Sequence, residues 1–392
     1  MKGLIITRLF KPMVGGIQEH THQIAANLDS LGENVSVLSP EMENAAEFDV
    51  SCNYPVVRHP LPMPGSDRLL RRPAANYLRL ILESAKAIQA DYLICSHWKN
   101  GLGANTFLAS KILRIPYFIF AHGAEITRHL QSVWKRFERL HTYRSSRRVF
   151  CVSQYTRDKV KELGVRPARI EIVPCGFDTM LVDRWRGFSQ REFPKALNDA
   201  LYDRRKIVFT VSRIEQRKGM DKVIEAIPQV LQAVSNVVYL IGGRGPYEST
   251  LKEFVRQKGL EGHVRFLGYL SEDEKFACYQ NCDVFIMPSR TLSDGDVEGF
   301  GIVFLEAGAF GKPVIGGRSG GIPDAIVDGE TGLLIDPNDT DKIAKALIRT
   351  LIDSAFAKRL GENGERHVRE IMTWENIARK LRQILHDSIV KA

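Results

Sequence analysis

Two successive series of short apolar runs, each run parted from the next by a longer polar-apolar stretch, restrict this chain to few folds. The first series is Leu4–Thr7, Val35–Leu38, Tyr92–Cys95, Tyr117–Phe120, Val149–Val152 and Glu171–Val173. The second is Ile207–Val211, Val237–Ile241, Val264–Phe266, Val284–Met287, Val314–Ile315 and Leu333–Ile335. Runs this brief and this continuously apolar suit strands buried on both faces. Between them, Gln18–Leu31, Ala74–Ala90 and Gly103–Leu113 carry helical periodicity. Strand and helix in alternation form a parallel sheet covered on both sides. A length of 392 residues exceeds one ordinary core. The expected fold class is therefore α/β, with two doubly wound, Rossmann-like domains facing a central cleft. Their expected bounds are 1–178 and 204–373, with a linker at 179–203. Ligands of such sheets sit at the carboxyl ends of the strands.

Composition narrows the class. Apolar residues make up 44% and charged residues 26%, the balance of a soluble globular protein. No apolar run approaches the ~20 residues that cross a bilayer. Met1–Thr7 reads as a first strand, cut short by Arg8 and Lys11, and not as a secretory signal. Six cysteines, at 52, 95, 151, 175, 278 and 282, show neither metal spacing nor a paired framework, which predicts reduced thiols in a cytosolic protein.

The charge is one-sided. Residues 1–200 hold 28 Lys and Arg against 19 Asp and Glu, whereas residues 201–392 hold 27 of each, so the whole net +9 falls in the first half. Arg68, Arg71, Arg72 and Arg79 form one cluster; Lys135, Arg136, Arg139, Arg144, Arg147 and Arg148 form another. Such patches suit an anionic lipid surface or a phosphorylated substrate. No nucleic-acid partner is expected, because no zinc finger, basic zipper or RNA-binding signature is present.

The chemistry-bearing residues fall where the strands end. Gly15 and Gly16 follow the first strand and open a helix, so backbone amides there can approach a pyrophosphate. Ala121-His122-Gly123 ends another strand of the first series. Ser212-Arg213-Ile214-Glu215-Gln216-Arg217-Lys218-Gly219 follows the first strand of the second series. Arg213 and Lys218 there can neutralise a diphosphate, the arginine by a two-pronged contact. Gly242-Gly243-Arg244-Gly245-Pro246 opens a further helix without the full dinucleotide spacing. Glu298 and Glu306 stand eight positions apart around Gly299-Phe300-Gly301-Ile302, a turn leading into a helix whose amides suit a phosphate. Both carboxylates can accept hydrogen bonds from vicinal hydroxyls. Asp294-Gly295-Asp296 matches an acid pair that holds a metal in other folds, but phosphate neutralisation is already carried by Arg213 and Lys218, so no metal is expected.

In their order along nearly the whole chain, these segments resemble the retaining GT-B glycosyltransferases of family GT4. The most specific part is Glu298 to Glu306 with its downstream Gly320-Gly321-Ile322-Pro323. Asp296 to Val303 looks most like the GDP-mannose-dependent mannosyltransferases that act on phosphatidylinositol-type or lipid-linked acceptors. Pro174-Cys175-Gly176 departs from the family, which more often has asparagine before the glycine.

The resemblance implies a role for each residue. Gly15 and Gly16 would lie against the donor diphosphate, which Arg213 and Lys218 would bind as it leaves. Glu298 and His122 would contact the donor sugar. Phe300, Gly301 and Ile302 would present amides to its hydroxyls or phosphate, and Glu306 would hold the ribose. Gly243 and Leu267 would line the nucleotide, with the base held by backbone near Phe266-Leu267-Gly268. Developing charge on the diphosphate would be stabilised by fixed cations and amides. That phosphate would take the acceptor proton on the same face, giving retention without an enzyme nucleophile; double displacement through a carboxylate is the alternative. The last helix, 374–392, would fold back onto the first domain.

The resulting expectation is a retaining, metal-independent hexosyltransferase with no cofactor. Its partners would be a nucleotide-sugar donor, GDP-mannose favoured, and a lipid-linked or glycan acceptor. The alternatives are a UDP-sugar donor with a soluble acceptor, a nucleotide-sugar epimerase, and a non-catalytic sugar-nucleotide-binding protein. Arg68, Arg71, Arg72 and Arg79, interleaved with Leu69, Leu70, Tyr77, Leu78 and Leu80, would rest on an anionic membrane, placing the protein at the cytoplasmic face.

Overall fold

A computed structural model describes residues 1–60, 73–187 and 193–390 of the chain. It resolves into two compact units, Met1–Cys175 with Trp374–Ala392, and Gly176–Thr373.

The first unit is built on a parallel seven-stranded sheet. Its strands are β1 (Lys2–Ile6), β2 (Asn34–Pro40), β3 (Val56–His59), β4 (Tyr92–Cys95), β5 (Tyr117–Ala121), β6 (Arg148–Cys151) and β7 (Ile170–Ile172). They lie in the order β3-β2-β1-β4-β5-β6-β7. The registers Ile5 with Val37 and Ile5 with Ile94 fix the centre. Leu4, Ile6, Leu93 and Ile119 enter one continuous core with Trp98 and Tyr143. β3 escaped the sequence reading. It sits at the sheet edge, and its Val-Val-Arg-His run is too mixed for the buried-strand pattern.

The second unit repeats the design with β8 (Lys206–Val211), β9 (Val237–Gly242), β10 (Val264–Gly268), β11 (Val284–Met287), β12 (Val314–Gly317) and β13 (Gly332–Ile335). Their order is β10-β9-β8-β11-β12-β13, all parallel. Val208, Tyr239, Ile241, Ile286 and Ile315 pack with Ile224 and Ile227 of the following helix, Met220–Ala233.

The expected linker is not a connector. Thr179–Gly187 and Lys195–Tyr202 are helices of the second unit. Trp185 is buried against Phe276 and Phe310, and Arg369 grips Asp183 with both prongs at 2.8 and 3.0 Å. Each helix buries only a couple of side chains, so its sequence is mostly polar and reads as loop. The division falls at Cys175 and Gly176. Helix Trp374–Val390 belongs to the first unit, where it packs on Gly16–Ser30. The buried Glu33 carboxylate anchors it, receiving Arg382 Nε at 2.8 Å and His386 Nε2 at 2.7 Å.

Candidate active site

In both sheets the strand order reverses beside the first strand, which opens a crevice at the carboxyl ends of β8 and β11, and of β1 and β4. The sequence-predicted residues gather at these two edges, each described within its own unit.

After β8 the chain makes a short turn, Gln216–Lys218, that turns Arg217 and Lys218 toward the segment leaving β11. That segment delivers Asp296 and Glu298. One Glu298 oxygen, Oε2, receives Lys218 Nζ at 2.5 Å and Arg217 Nη1 at 2.7 Å. Arg217 also faces Asp296 and Glu215, each at 3.4 Å. The backbone ties the two segments together, as Arg290 N donates to Arg217 O at 2.9 Å, and Gly321 N, past β12, holds Glu298 O at 2.9 Å. Burial alone would raise the Glu298 carboxyl, but the neighbouring Lys218 and Arg217 cations hold it down at about 2. Burial, reinforced by Arg217, lowers Lys218 from the usual lysine range against the pull of Glu298. Arg213 differs. Its side chain is 71% exposed, with Glu215 beside it at 3.3 Å. The edge therefore carries one exposed cation and two buried ones, and a diphosphate arriving there would compete with Glu298 for Lys218.

A helix N-terminus completes this edge. Gly301 precedes helix Ile302–Ala309 at φ +98°, and a Cβ there would also meet the Phe304 ring at 2.7 Å. Only glycine turns the chain so, leaving the first amides, from Ile302 onward, available to an anion. Phe300 is buried beneath them. The helix starts after Glu298, so Glu306 lies little more than one turn into it. Glu306 is not idle: its oxygens take Tyr279 Oη at 2.8 Å and Lys275 Nζ at 3.2 Å. Further along, Gly243 sits at φ +112°, where a Cβ would fall 1.9 Å from Ser212 O. Its backbone passes against the β8 turn and bonds Gly268 O, next to the half-buried Leu267.

In the first unit, Gly15 ends the loop after β1 and Gly16 begins helix Gly16–Ser30. The space beside Gly16 where a Cβ would stand is open. His122 follows β5. Its Nε2 lies 2.9 Å from Ser96 O, a pairing that makes Nε2 the protonated nitrogen and leaves Nδ1 as an acceptor. Glu125 holds the turn from behind by accepting the His122 and Gly123 amides, the latter at 3.1 Å. His20, buried on the first helix, meets the His122 ring edge-on at 4.9 Å between centroids, and the Trp374 ring at 5.6 Å. Burial, then the neighbouring His122, pushes His97 down to about 3 and His20 well below the usual histidine range; burial also lowers His122. His20 Nε2, His97 Nδ1 and Ser96 Oγ are buried and lack a hydrogen-bond partner among the described residues. This edge thus offers neutral imidazoles and a hydroxyl, which suit sugar hydroxyls.

Three residues escaped the sequence reading. Arg217 is adjacent to Lys218 in a motif that carries three cations, Arg213, Arg217 and Lys218, which sequence spacing does not rank. Tyr279 and His97 carry no local signal: one lies on a helix, the other just past β4, and only the folded chain brings them to Glu306 and His122. Asp296 is engaged by Arg217 and also accounts for part of the acidic pair. Of the expected membrane arginines, Arg68, Arg71 and Arg72 lie outside the described residues, and exposed Arg79 pairs with Glu83 at 2.7 Å. In the second basic cluster, Arg139 caps Ile126 O, Arg144 bonds Leu163 O at 2.7 Å, and Arg147 and Arg148 reach Ser388 at 3.0 and 3.2 Å. Those four are partly structural.

Residues 14–181 match the family described as Glycosyltransferase Family 4, and residues 194–367 the one described as Glycosyl transferases group 1. The GDP-mannose-dependent alpha-(1-6)-phosphatidylinositol monomannoside mannosyltransferase of Mycobacterium tuberculosis is 33% identical, with 97% of each chain covered. The GDP-mannose-dependent monoacylated alpha-(1-6)-phosphatidylinositol monomannoside mannosyltransferase of Corynebacterium glutamicum is 31% identical, covering 98% of this chain and 97% of its own. A glycosyltransferase structure from Rickettsia africae superposes with a TM-score of 0.80 at 18% identity, covering 100% of this chain and 99% of its own. The UDP complex of HepE from Anabaena superposes at 0.79 with 21% identity, covering 99% and 100%. At such identities the two structures speak for the GT-B fold alone.

Proposed function

The chain belongs to the family 4 glycosyltransferases, and from that premise we propose that it moves mannose from GDP-mannose to a phosphatidylinositol-type lipid acceptor. The observation that carries this reading is end-to-end similarity, at 33% identity, to a mannosyltransferase named for that donor and that lipid. The second unit's edge supports a diphosphate donor, since Lys218 and Arg217 hold Glu298 three residues before the helix N-terminus at Gly301, and Arg213 stands exposed on the same loop after β8. Departure of the nucleoside diphosphate would leave charge where these cations and amides lie. The leaving phosphate would accept the acceptor hydroxyl proton on the same face, so the anomeric configuration is retained. Arg217, Lys218 and Arg213 would neutralise that phosphate without a metal ion. His122 Nδ1 would take a hydrogen bond from the donor sugar, and Glu306 would hold the ribose. Among the described residues no helix is long and apolar enough to cross a membrane. We infer that the protein meets its lipid acceptor as a peripheral protein at the cytoplasmic face.

The test is product analysis by mass spectrometry. Purified protein is offered GDP-mannose, UDP-glucose and UDP-N-acetylglucosamine, each with phosphatidylinositol mannosides and with a soluble sugar. A hexose added to the lipid from GDP-mannose alone is the expected outcome. Transfer only from a UDP-sugar, or only to the soluble acceptor, would overturn it.

A further inference from the structure

The first unit gathers exposed apolar side chains on one pair of helices. Five of the fifteen exposed large hydrophobic residues among the described residues lie on two adjacent helices, Leu102–Leu113 and Val133–Ser145, which together span only 25 residues. Trp134 is 82% exposed, and Val133 and Phe137 stand beside it within about 100° of helical arc. Thr142 and Tyr143 are the buried positions of that helix. On the neighbouring helix Leu108 and Ile112 are exposed one turn apart. The aromatic contacts Phe107 to His141 and Phe137 to His141 bridge the two helices. This apolar surface is ringed by cations: Lys135 and Arg136 on one helix, Lys111 over the Phe107 ring on the other, with Arg144 further along. The acid among them, Glu138, is turned inward to the Gly101 amide at 3.1 Å.

We propose that this helix pair is the surface on which the first unit rests on an anionic lipid bilayer, with Trp134 and Phe137 seated at the headgroup level. The proposal deepens the lipid-acceptor reading and rests on it. A tryptophan amid cations, on helices lying along the surface, is the composition that interfacial contact requires. Charge selects the occupant. A second copy of the same patch would set like cations against each other, whereas anionic headgroups answer them. Its residues are other than Arg68, Arg71, Arg72 and Arg79, on which the basic sequence pattern centres the membrane contact.

The test uses tryptophan emission of the full chain. Trp98, Trp185 and Trp374 are buried, so a change on adding vesicles reports Trp134. Vesicles containing phosphatidylglycerol should shift the emission to the blue, and brominated acyl chains should quench it; phosphatidylcholine vesicles should do neither. Trp134→Phe should erase the signal while the protein still pellets with vesicles. Exchanging both Trp134 and Phe137 for glutamate should lower partitioning by about tenfold or more. That double variant should keep its turnover on detergent-solubilised acceptor and lose it on acceptor embedded in vesicles. Pelleting without quenching would overturn the assignment of this surface and leave the lipid-acceptor reading intact. Transfer to a soluble sugar alone would remove that reading instead. Light scattering that shows a dimer broken by the double exchange would overturn the proposal in favour of self-association.

Discussion

The Lys218 ammonium and the Glu298 carboxylate lie 2.5 Å apart, and the same carboxylate oxygen carries Arg217. A buried acid shared by two cations stays ionised far below the usual carboxylate range, and its proton equilibrium becomes part of the stability of the second unit.

The sign follows from the depressed value. Glu298 titrates near 2 when folded and near 4.5 when unfolded. Its contribution is therefore present above pH 4.5 and is lost as pH falls from there through 2. The whole amount is on the order of 3 kcal/mol, of which about 2 kcal/mol is lost by pH 3. Hydrogen exchange of the β8 and β11 amides at pH 6 and pH 3 measures it. The wild type should lose protection over that interval, and Glu298→Gln should lose distinctly less. Equal losses would show that the carboxylate titrates normally.

Arg213 and Arg217 separate binding from folding. Arg213 is mostly exposed, so Arg213→Ala should leave the melting temperature nearly unchanged, as surface ion pairs contribute little. Its turnover should fall on the order of 10²-fold, the scale for removing one preorganised charge-stabilising donor. Arg217→Ala should lower both turnover and stability, by about 3 kcal/mol or more, because it strips a buried cation from three acids. A destabilised Arg213→Ala, or an Arg217→Ala that melts like wild type, would reverse these roles.

What the sequence made legible tracks how each signal arises. Strands such as Ile207–Val211 and Tyr92–Cys95 are buried on both faces of a parallel sheet, so their residues run apolar without interruption and announce themselves. β3, at the edge and carrying Arg58, does not. Helices Thr179–Gly187 and Lys195–Tyr202 read as a linker because a helix lying on a finished core needs few apolar anchors. Gly301 and Glu298 were legible because turn chemistry and a fixed spacing leave local marks. The choice of Arg217 as partner of Glu298 was not, since in the short turn at Gln216–Lys218 neighbouring side chains can reach one acid and spacing cannot tell them apart. Tyr279 and His97 reach their partners only through tertiary packing.

His97 should make the first unit acid-sensitive. It titrates at about 3 when folded, below the unfolded 6.5. Below pH 6.5 the unfolded chain takes up a proton that the folded chain refuses, so the stability present above 6.5 is lost as pH falls toward 3. By pH 5 the loss is about 2 kcal/mol. Protection of the β4 and β5 amides should fall between pH 7 and pH 5 in the wild type and fall less in His97→Gln. A protonated His97 at pH 5, seen by nitrogen NMR, would contradict this.

Transfer should survive excess chelator. Arg217 already faces the Asp296 carboxylate at 3.4 Å, and Lys218, Arg217 and Arg213 supply the positive charge a leaving diphosphate needs. Initial rates in EDTA should remain within about twofold of those with Mg²⁺, since removing one cationic donor and not the metal is the change that costs orders of magnitude. Abolition by EDTA, restored by Mn²⁺ or Mg²⁺ and lost again in Asp296→Asn, would assign the acidic pair to a metal.

Glu306 should govern donor affinity more than the chemical step. Each of its oxygens already accepts one hydrogen bond, from Tyr279 Oη and from Lys275 Nζ, yet each keeps a lone pair for a vicinal hydroxyl. The two donors thereby orient the carboxylate before any ligand arrives. Glu306→Gln replaces one acceptor oxygen by an amide, which sets a donor against Lys275 or Tyr279, so GDP binding measured by calorimetry should weaken by about tenfold. Tyr279→Phe removes only the orienting hydroxyl and should weaken it by less. Because contacts to the ribose change little as the anomeric bond breaks, KM for the donor should rise in both variants while kcat stays close to wild type. If kcat collapses in Glu306→Gln with GDP affinity unchanged, Glu306 acts at the reacting centre and not on the ribose.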